Sequence, residues 1–134
     1  GIVSRDERET TGLRAQLNFG HTLGHALEAA TGYKRLTHGE AIAVGMCAAA
    51  DLSVAVGLLR LSEAQRLQRL IRSAGLPTST PGVSRWAVLR ALRYDKKFVR
   101  GRPRWVLLRR LGEVVVTEDV SLQATRRVLD RYVR

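Results

Sequence analysis

Residues 39–56 read GEAIAVGMCAAADLSVAV. A helix drawn through this segment has apolar residues on nearly every side. A helix at a protein surface keeps one apolar stripe and a polar remainder, whereas one that is apolar almost all round must be enclosed by other elements. The segment is therefore expected to be a buried central helix that stops at Gly57. Its uninterrupted apolar stretch, residues 41–50, ends at Asp51 and falls short of the roughly 20 residues needed to cross a bilayer. A chain of 134 residues, 45% of them hydrophobic, has material for one domain with a real core around that helix.

The rest of the chain supplies neighbours for it. Residues 1–12 read as irregular or extended. Helical spacing follows over residues 13–30, with Leu13, Leu17, Gly20, Leu23 or Gly24, and Leu27 on related faces and Gly32 as the C-cap. Residues 33–37 read as a loop. A third helix is expected from Ser62, whose spacing to Gln65 suits a capping box, with Leu67, Leu70, Ile71 and Ala74 inward and Gly75 and Pro77 as stops. Ser84 is expected to cap a fourth helix carrying Val88, Leu89 and Leu92. Residues 104–108 and 113–117 read as strands joined by a turn at 109–112. Ser121 is expected to cap a last helix with Leu122, Val128 and Leu129. The fold class is mainly α: a multihelical bundle with one small β-hairpin. Strand and helix do not alternate, and no GxGxxG or GxxxxGKS sequence occurs, so no nucleotide-binding βαβ unit is expected.

The formal net charge is +11, from 20 Arg and 3 Lys against 12 acidic residues. The arginines are scattered from Arg5 to Arg134. Their densest stretch, residues 90–110, matches no helix-turn-helix, RNA-recognition or zinc-finger pattern. A solvated surface is the first reading, an anionic small substrate the second, and no nucleic-acid partner is expected. The single cysteine, Cys47, cannot form an internal disulfide and sits in the apolar helix, which suits a small core residue. With no signal peptide, a cytoplasmic location is expected. The chain begins at Gly1 rather than Met, so a piece of something longer is expected.

All three histidines fall within 18 consecutive positions, as His21, His25 and His38, each beside a glycine. His21 and His25 are four apart and so project from one helix face, with Glu28 near it. A helix, a reversal and a second helix can return His38 to His21. Two neutral imidazoles from separate elements can hold a divalent metal, and a catalytic site then needs about one further ligand and an open position. Gly20, Gly24 and Gly39 each cost roughly 1 kcal/mol inside a helix. Gly20 and Gly24 clear one face for a ligand or another backbone. The HxxxH spacing lacks the Glu that follows the first His in zinc proteases; Thr22 stands there.

The wording of these segments is more specific than their spacing. DERETTGLRAQLNFGHTLGHALEAATGY, followed by LTHGEAIAVGM, closely resembles the 3-dehydroquinate synthase family, and RYDKKFVRGRPRWVLLRRLGEV resembles that family's DKK…G…R(F/W)VL…(I/L)G segment. The resemblance covers nearly the whole chain and matches the family's C-terminal helical half. It implies a C-terminal metal- and substrate-binding domain over residues 1–134, with the N-terminal NAD-binding domain not in this chain. It also implies conversion of 3-deoxy-arabino-heptulosonate 7-phosphate to 3-dehydroquinate and phosphate, in the shikimate pathway. As the resemblance implies, NAD transiently oxidises a ring hydroxyl, phosphate is eliminated, hydride returns, the ring opens, and an intramolecular aldol closes the carbocycle.

Carried over by motif, His21 and His38 look like two of three ligands to zinc or cobalt. The third is a glutamate of the other domain, matched by neither Glu28 nor Glu40. His25 looks like the histidine that contacts substrate and shuttles a proton. Glu9 matches an acidic residue with an acid/base role, although TTG here replaces a shorter family spacing before LR. Arg14 and Asn18 look like substrate contacts, and Arg14 can grip a carboxylate or phosphate by two parallel hydrogen bonds. Lys96 and Lys97 stand where the family has one anion-binding lysine. A further family lysine should precede Gly1. The resemblance also suggests a homodimer for the full enzyme, and the chain alone is expected to be inactive.

Other readings stay open. A related sugar phosphate cyclase, making 2-deoxy-scyllo-inosose or a valiolone, shares the metal and NAD chemistry and similar GHTxGHAxE motifs. The DERE…GLR…LNFGHT and DKK segments favour dehydroquinate synthase. Iron-containing alcohol dehydrogenases share a related helical domain, but their metal histidines have different surroundings. A non-catalytic metal-binding helical module is a reading from another class. Nucleic-acid binding through the charge would be steeply salt-dependent.

Overall fold

The computed structural model describes residues 19–32, 36–80, 82–93, 98–99, 102–103, 105–111, 113–117 and 120–132. Among these, five helices and two short antiparallel ladders follow in order. They are α1 His21–Ala30, α2 His38–Ala55, α3 Leu61–Ser73, α4 Arg85–Arg93, β1 Phe98–Val99, β2 Arg102–Pro103, β3 Trp105–Arg110, β4 Glu113–Thr117 and α5 Leu122–Tyr132. The mainly helical architecture is the one the patterning implies.

The central helix is α2. Ala41, Val44, Cys47, Ala48, Ala50 and Leu52 are all buried, and α1, α3, α5 and β3 pack around it. Its start is fixed by a capping box. The Thr37 hydroxyl accepts from the Glu40 N–H at 3.1 Å, and the Glu40 carboxylate accepts from the Thr37 N–H at 2.9 Å. Its end comes at Gly57, in the left-handed region at φ 83°, as expected. The Ser53 carbonyl there accepts from the N–H groups of Leu58 and Leu59.

Small residues let α1 and α2 cross closely. A Cβ at Gly45 would collide with the Gly20 carbonyl oxygen and stand 2.9 Å from the Gly24 nitrogen. One at Gly20 would lie 2.6 Å from Met46 Cγ, and one at Gly24 would lie 2.6 Å from Ile42 Cδ1. Gly20 also sits at φ 84° as the N-cap of α1, so no helix runs through it. The helix expected over residues 13–30 therefore begins at His21, and residues 13–18 lie outside the described part.

Two polar clusters hold the other neighbours. Buried Ser53 donates to the Ala49 carbonyl at 2.7 Å and accepts from the Leu108 N–H at 2.9 Å, fastening β3 to α2. Buried Asp51 receives the Tyr132 hydroxyl from α5 and, at 3.2 Å, the Gln68 amide from α3. Gln68 also donates to the Tyr132 oxygen at 3.0 Å. One carboxylate thus joins α2, α3 and α5. Burial, and then the nearby Asp51 charge, push the Cys47 thiol from its ordinary 9.0 up to about 12. Burial and the Asp51 hydrogen bond push the Tyr132 phenol up as well.

Ser84 and Ser121 cap α4 and α5, accepting from the Ala87 N–H at 3.3 Å and the Ala124 N–H at 3.1 Å. Ser62 is not a cap. Arg60 holds that position without a side-chain bond, and its carbonyl accepts from the N–H groups of Glu63 and Ala64, so Ser62 falls inside the first turn. The hairpin is present, but β3 runs two residues further than expected, to Arg110, with an irregularity between Leu108 and Arg110. The β1–β2 ladder, pairing Phe98 with Pro103 and Val99 with Arg102, is additional to the one hairpin expected.

Replacing Gly45 by Ala should cost about 3 kcal/mol, because backbone rather than a flexible side chain occupies the methyl's place. Gly39→Ala, where a methyl meets nothing within 4 Å, should be neutral or stabilising by up to about 1 kcal/mol. Urea unfolding of the two variants checks this, and equal stabilities would refute the close crossing. Tyr132→Phe should cost about 1–3 kcal/mol by stripping a hydrogen bond from buried Asp51. Above pH 9 the unfolded chain releases the Cys47 proton while the folded chain keeps it up to about 12. The unfolded state then binds fewer protons, so stability should fall as pH rises across that window. Urea midpoints between pH 7 and 11 should show the fall, and Cys47→Ala should lessen it, leaving the part that Tyr132 contributes above pH 10.

Candidate metal centre

The α1–α2 crossing decides where the histidines stand. His21 is the first residue of α1, directly after the Gly20 cap, and His25 lies one turn on. His38 is the first residue of α2, directly after the Thr37 cap. The reversal between the helices brings the three rings together. Ring centroids are 5.4 Å apart for His21 and His25, 5.6 Å for His21 and His38, and 5.9 Å for His25 and His38. His21 is half-buried, and His25 and His38 are exposed. The cluster therefore opens outward from a rigid base. Beside it, a hollow of about 500 Å³ between α2 and α3 is lined by His21, His38, Ile42, Met46, Leu67 and Leu70.

Glu28 joins the cluster. Its carboxylate lies 2.8 Å from His38 Nδ1. It stands on the last turn of α1, where the Thr31 hydroxyl closes on the Leu27 and Glu28 carbonyls at 2.9 and 3.1 Å. His25, Glu28 and His38 offer ligand atoms all within 4.8 Å of one another.

These residues fit a divalent metal. Imidazoles sharing a tetrahedral ion at a Zn–N distance of about 2.0 Å place their ring centres about 5 Å apart, close to the spacing here. Imidazole and carboxylate donors suit zinc, cobalt and neighbouring ions alike.

Of the residues singled out from sequence, the structure gathers His21, His25 and His38. Glu9, Arg14, Asn18, Lys96 and Lys97 lie outside the described residues. Gly20 and Gly24 are occupied by the crossing with α2, so they make room for a helix backbone rather than for metal or substrate. Glu40 is used by the α2 cap. The contact between Glu28 and His38 was missed. Its signal was the (i, i+3) spacing from His25, which puts Glu28 on the histidine face.

Residues 1–98 match the family described as 3-dehydroquinate synthase C-terminal. A 3-dehydroquinate synthase of Synechococcus sp. is 47% identical over 129 residues, which are 96% of this chain and 35% of that protein. One of Acidithiobacillus ferrooxidans is 49% identical over 131 residues, 98% of this chain and 36% of that protein. The chain spans about a third of the length of these curated relatives. Among solved structures, the fold superposes on 2-epi-5-epi-valiolone synthase from Streptomyces hygroscopicus, determined with NAD+ and Zn2+ bound. The TM-score is 0.74 at 28% identity, over 85% of this chain and 31% of that one. A 2-deoxy-scyllo-inosose synthase with NAD+ and Co2+ shares the fold, with a TM-score of 0.73 at 24% identity. The matched motifs contain the three histidines that the fold draws together, and the chain belongs to the 3-dehydroquinate synthase C-terminal family.

Proposed function

We propose that the chain is the metal- and substrate-binding part of a 3-dehydroquinate synthase, a phosphorus–oxygen lyase of the shikimate route to aromatic amino acids. The observation that carries this is the convergence of His21, His25 and His38 at the α1–α2 crossing, within the motifs that match the family. In this reading His21 and His38 hold a zinc or cobalt ion, and a third ligand comes from sequence that this chain does not span. The metal supplies Lewis acidity and NAD a hydride acceptor when they are bound.

The residues of this chain bind and move protons. Exposed His25 faces incoming substrate and serves as the group that shuttles a proton. Arg14, Asn18 and either Lys96 or Lys97 hold the anionic groups of a sugar phosphate, and Glu9 serves as an acid or base. The +11 charge suits such a substrate. NAD is bound mainly by an N-terminal domain, and the full enzyme works as a cytoplasmic homodimer. No helix among the described residues is long and apolar enough to cross a membrane.

A different cyclase product, of the inosose or valiolone type, is the second reading, favoured by the fold shared with those synthases. The 46–49% identity to several dehydroquinate synthases supports the first reading.

Calorimetric titration of the chain with zinc tests the site. Weak binding is expected, and His21→Ala or His38→Ala should each weaken it at least about tenfold. Tight binding unchanged by both substitutions would refute the assignment. The purified chain given substrate should release no phosphate, and turnover would contradict the division of the site between two domains.

A further inference from the structure

The contact between Glu28 and His38 does more than join two helices. The His38 side chain is 59% exposed, so packing holds it weakly, whereas the Glu28 side chain is only 13% exposed. The partner with the fixed position is therefore the carboxylate, anchored on the closed last turn of α1. An ionised carboxylate has no proton to give, so in this 2.8 Å contact His38 Nδ1 carries the hydrogen. In the neutral ring that leaves the lone pair on Nε2.

We infer that Glu28 is a positioning residue for His38. It fixes the Nδ1–H tautomer and the ring's orientation, so that Nε2 is the nitrogen presented to a metal. This rests on the reading of His38 as a metal ligand. Histidine ligands commonly donate their second N–H to a carboxylate, which raises the basicity of the ligating nitrogen and removes a choice of tautomer. Ligation by Glu28 itself is disfavoured here. A metal on Nδ1 would displace the proton that makes the contact, and 2.8 Å is the length of a charge-assisted hydrogen bond.

The test uses the 134-residue chain and two variants. Glu28→Ala removes the acceptor. Glu28→Gln keeps an oxygen that can accept from Nδ1–H but is a poor metal ligand. In ¹⁵N-labelled, metal-free protein, His38 should show the Nδ1–H tautomer in the wild type and in Glu28→Gln, and a mixture with the Nε2–H form in Glu28→Ala. By calorimetry, zinc affinity should fall about 10–100-fold in Glu28→Ala and only several-fold in Glu28→Gln.

Unchanged tautomer and affinity in Glu28→Ala would overturn the inference while leaving the metal site standing. Equal, near-complete loss of zinc in both variants would overturn it in favour of direct ligation. Zinc binding untouched by His38→Ala would overturn the metal reading itself, and the inference with it. The tautomer signal needs no metal, so it separates that failure from the others.

Discussion

The crossing of α1 over α2 is the contact on which the rest depends. Helix axes normally stand about 8–10 Å apart, a distance set by the side chains between them. Here the cap residue Gly20 and the helical Gly24 of α1 face Gly45 of α2, and backbone meets backbone. The approach costs helix propensity at Gly24 and Gly45, and burial of the alanine-rich α2 among its neighbours offsets that cost. Because the two helices are locked at this point, the residues that start them, His21 and His38, cannot drift apart. The geometry of the site is thus a consequence of core packing rather than of the histidines themselves.

The far side of α2 is held by different means. Asp51 gathers Gln68 and Tyr132, and Ser53 gathers Leu108. Both are buried polar groups in the otherwise apolar body of the helix, and both are satisfied by partners from other elements, as buried polar groups must be. Ion pairs on the surface are a minor matter. Arg110 and Glu113 lie 2.5 Å apart across the hairpin turn but are well exposed, and such pairs contribute little. Rigidity resides in α2 and its attachments, while the histidine cluster sits at the rim, open to a ligand.

Much of this was legible in the sequence, for identifiable reasons. An all-round apolar helix has one solution, burial, so α2 and its stop at Gly57 could be read directly. Ser84 and Ser121 precede their helices and cap them. Ser62 misled because its spacing to Gln65 is a local pattern, whereas the helix start is set by the chain's path through Arg60. Gly20 misled in another way. Helical periodicity runs through it, but it sits in the left-handed region as the cap of α1 and packs closely against Gly45, a tertiary contact that no local pattern encodes. The β1–β2 ladder is two residues per strand, too short for an alternation to register. At the site, the motifs named the histidines, yet Glu28 was set aside because it matches no family ligand. Its role depends on a partner ten residues away across a turn, and only the fold reveals that.

The account's central claim is that the crossing builds one side of a metal site from His21 and His38, with Glu28 behind His38. Crystals of the chain loaded with zinc, measured on either side of the zinc absorption edge, test it most directly. The account predicts one anomalous peak bonded to nitrogens of both His21 and His38, with Glu28 still on His38 Nδ1. A peak bonded to Glu28 and His25 without His21, or none at the cluster, would contradict it.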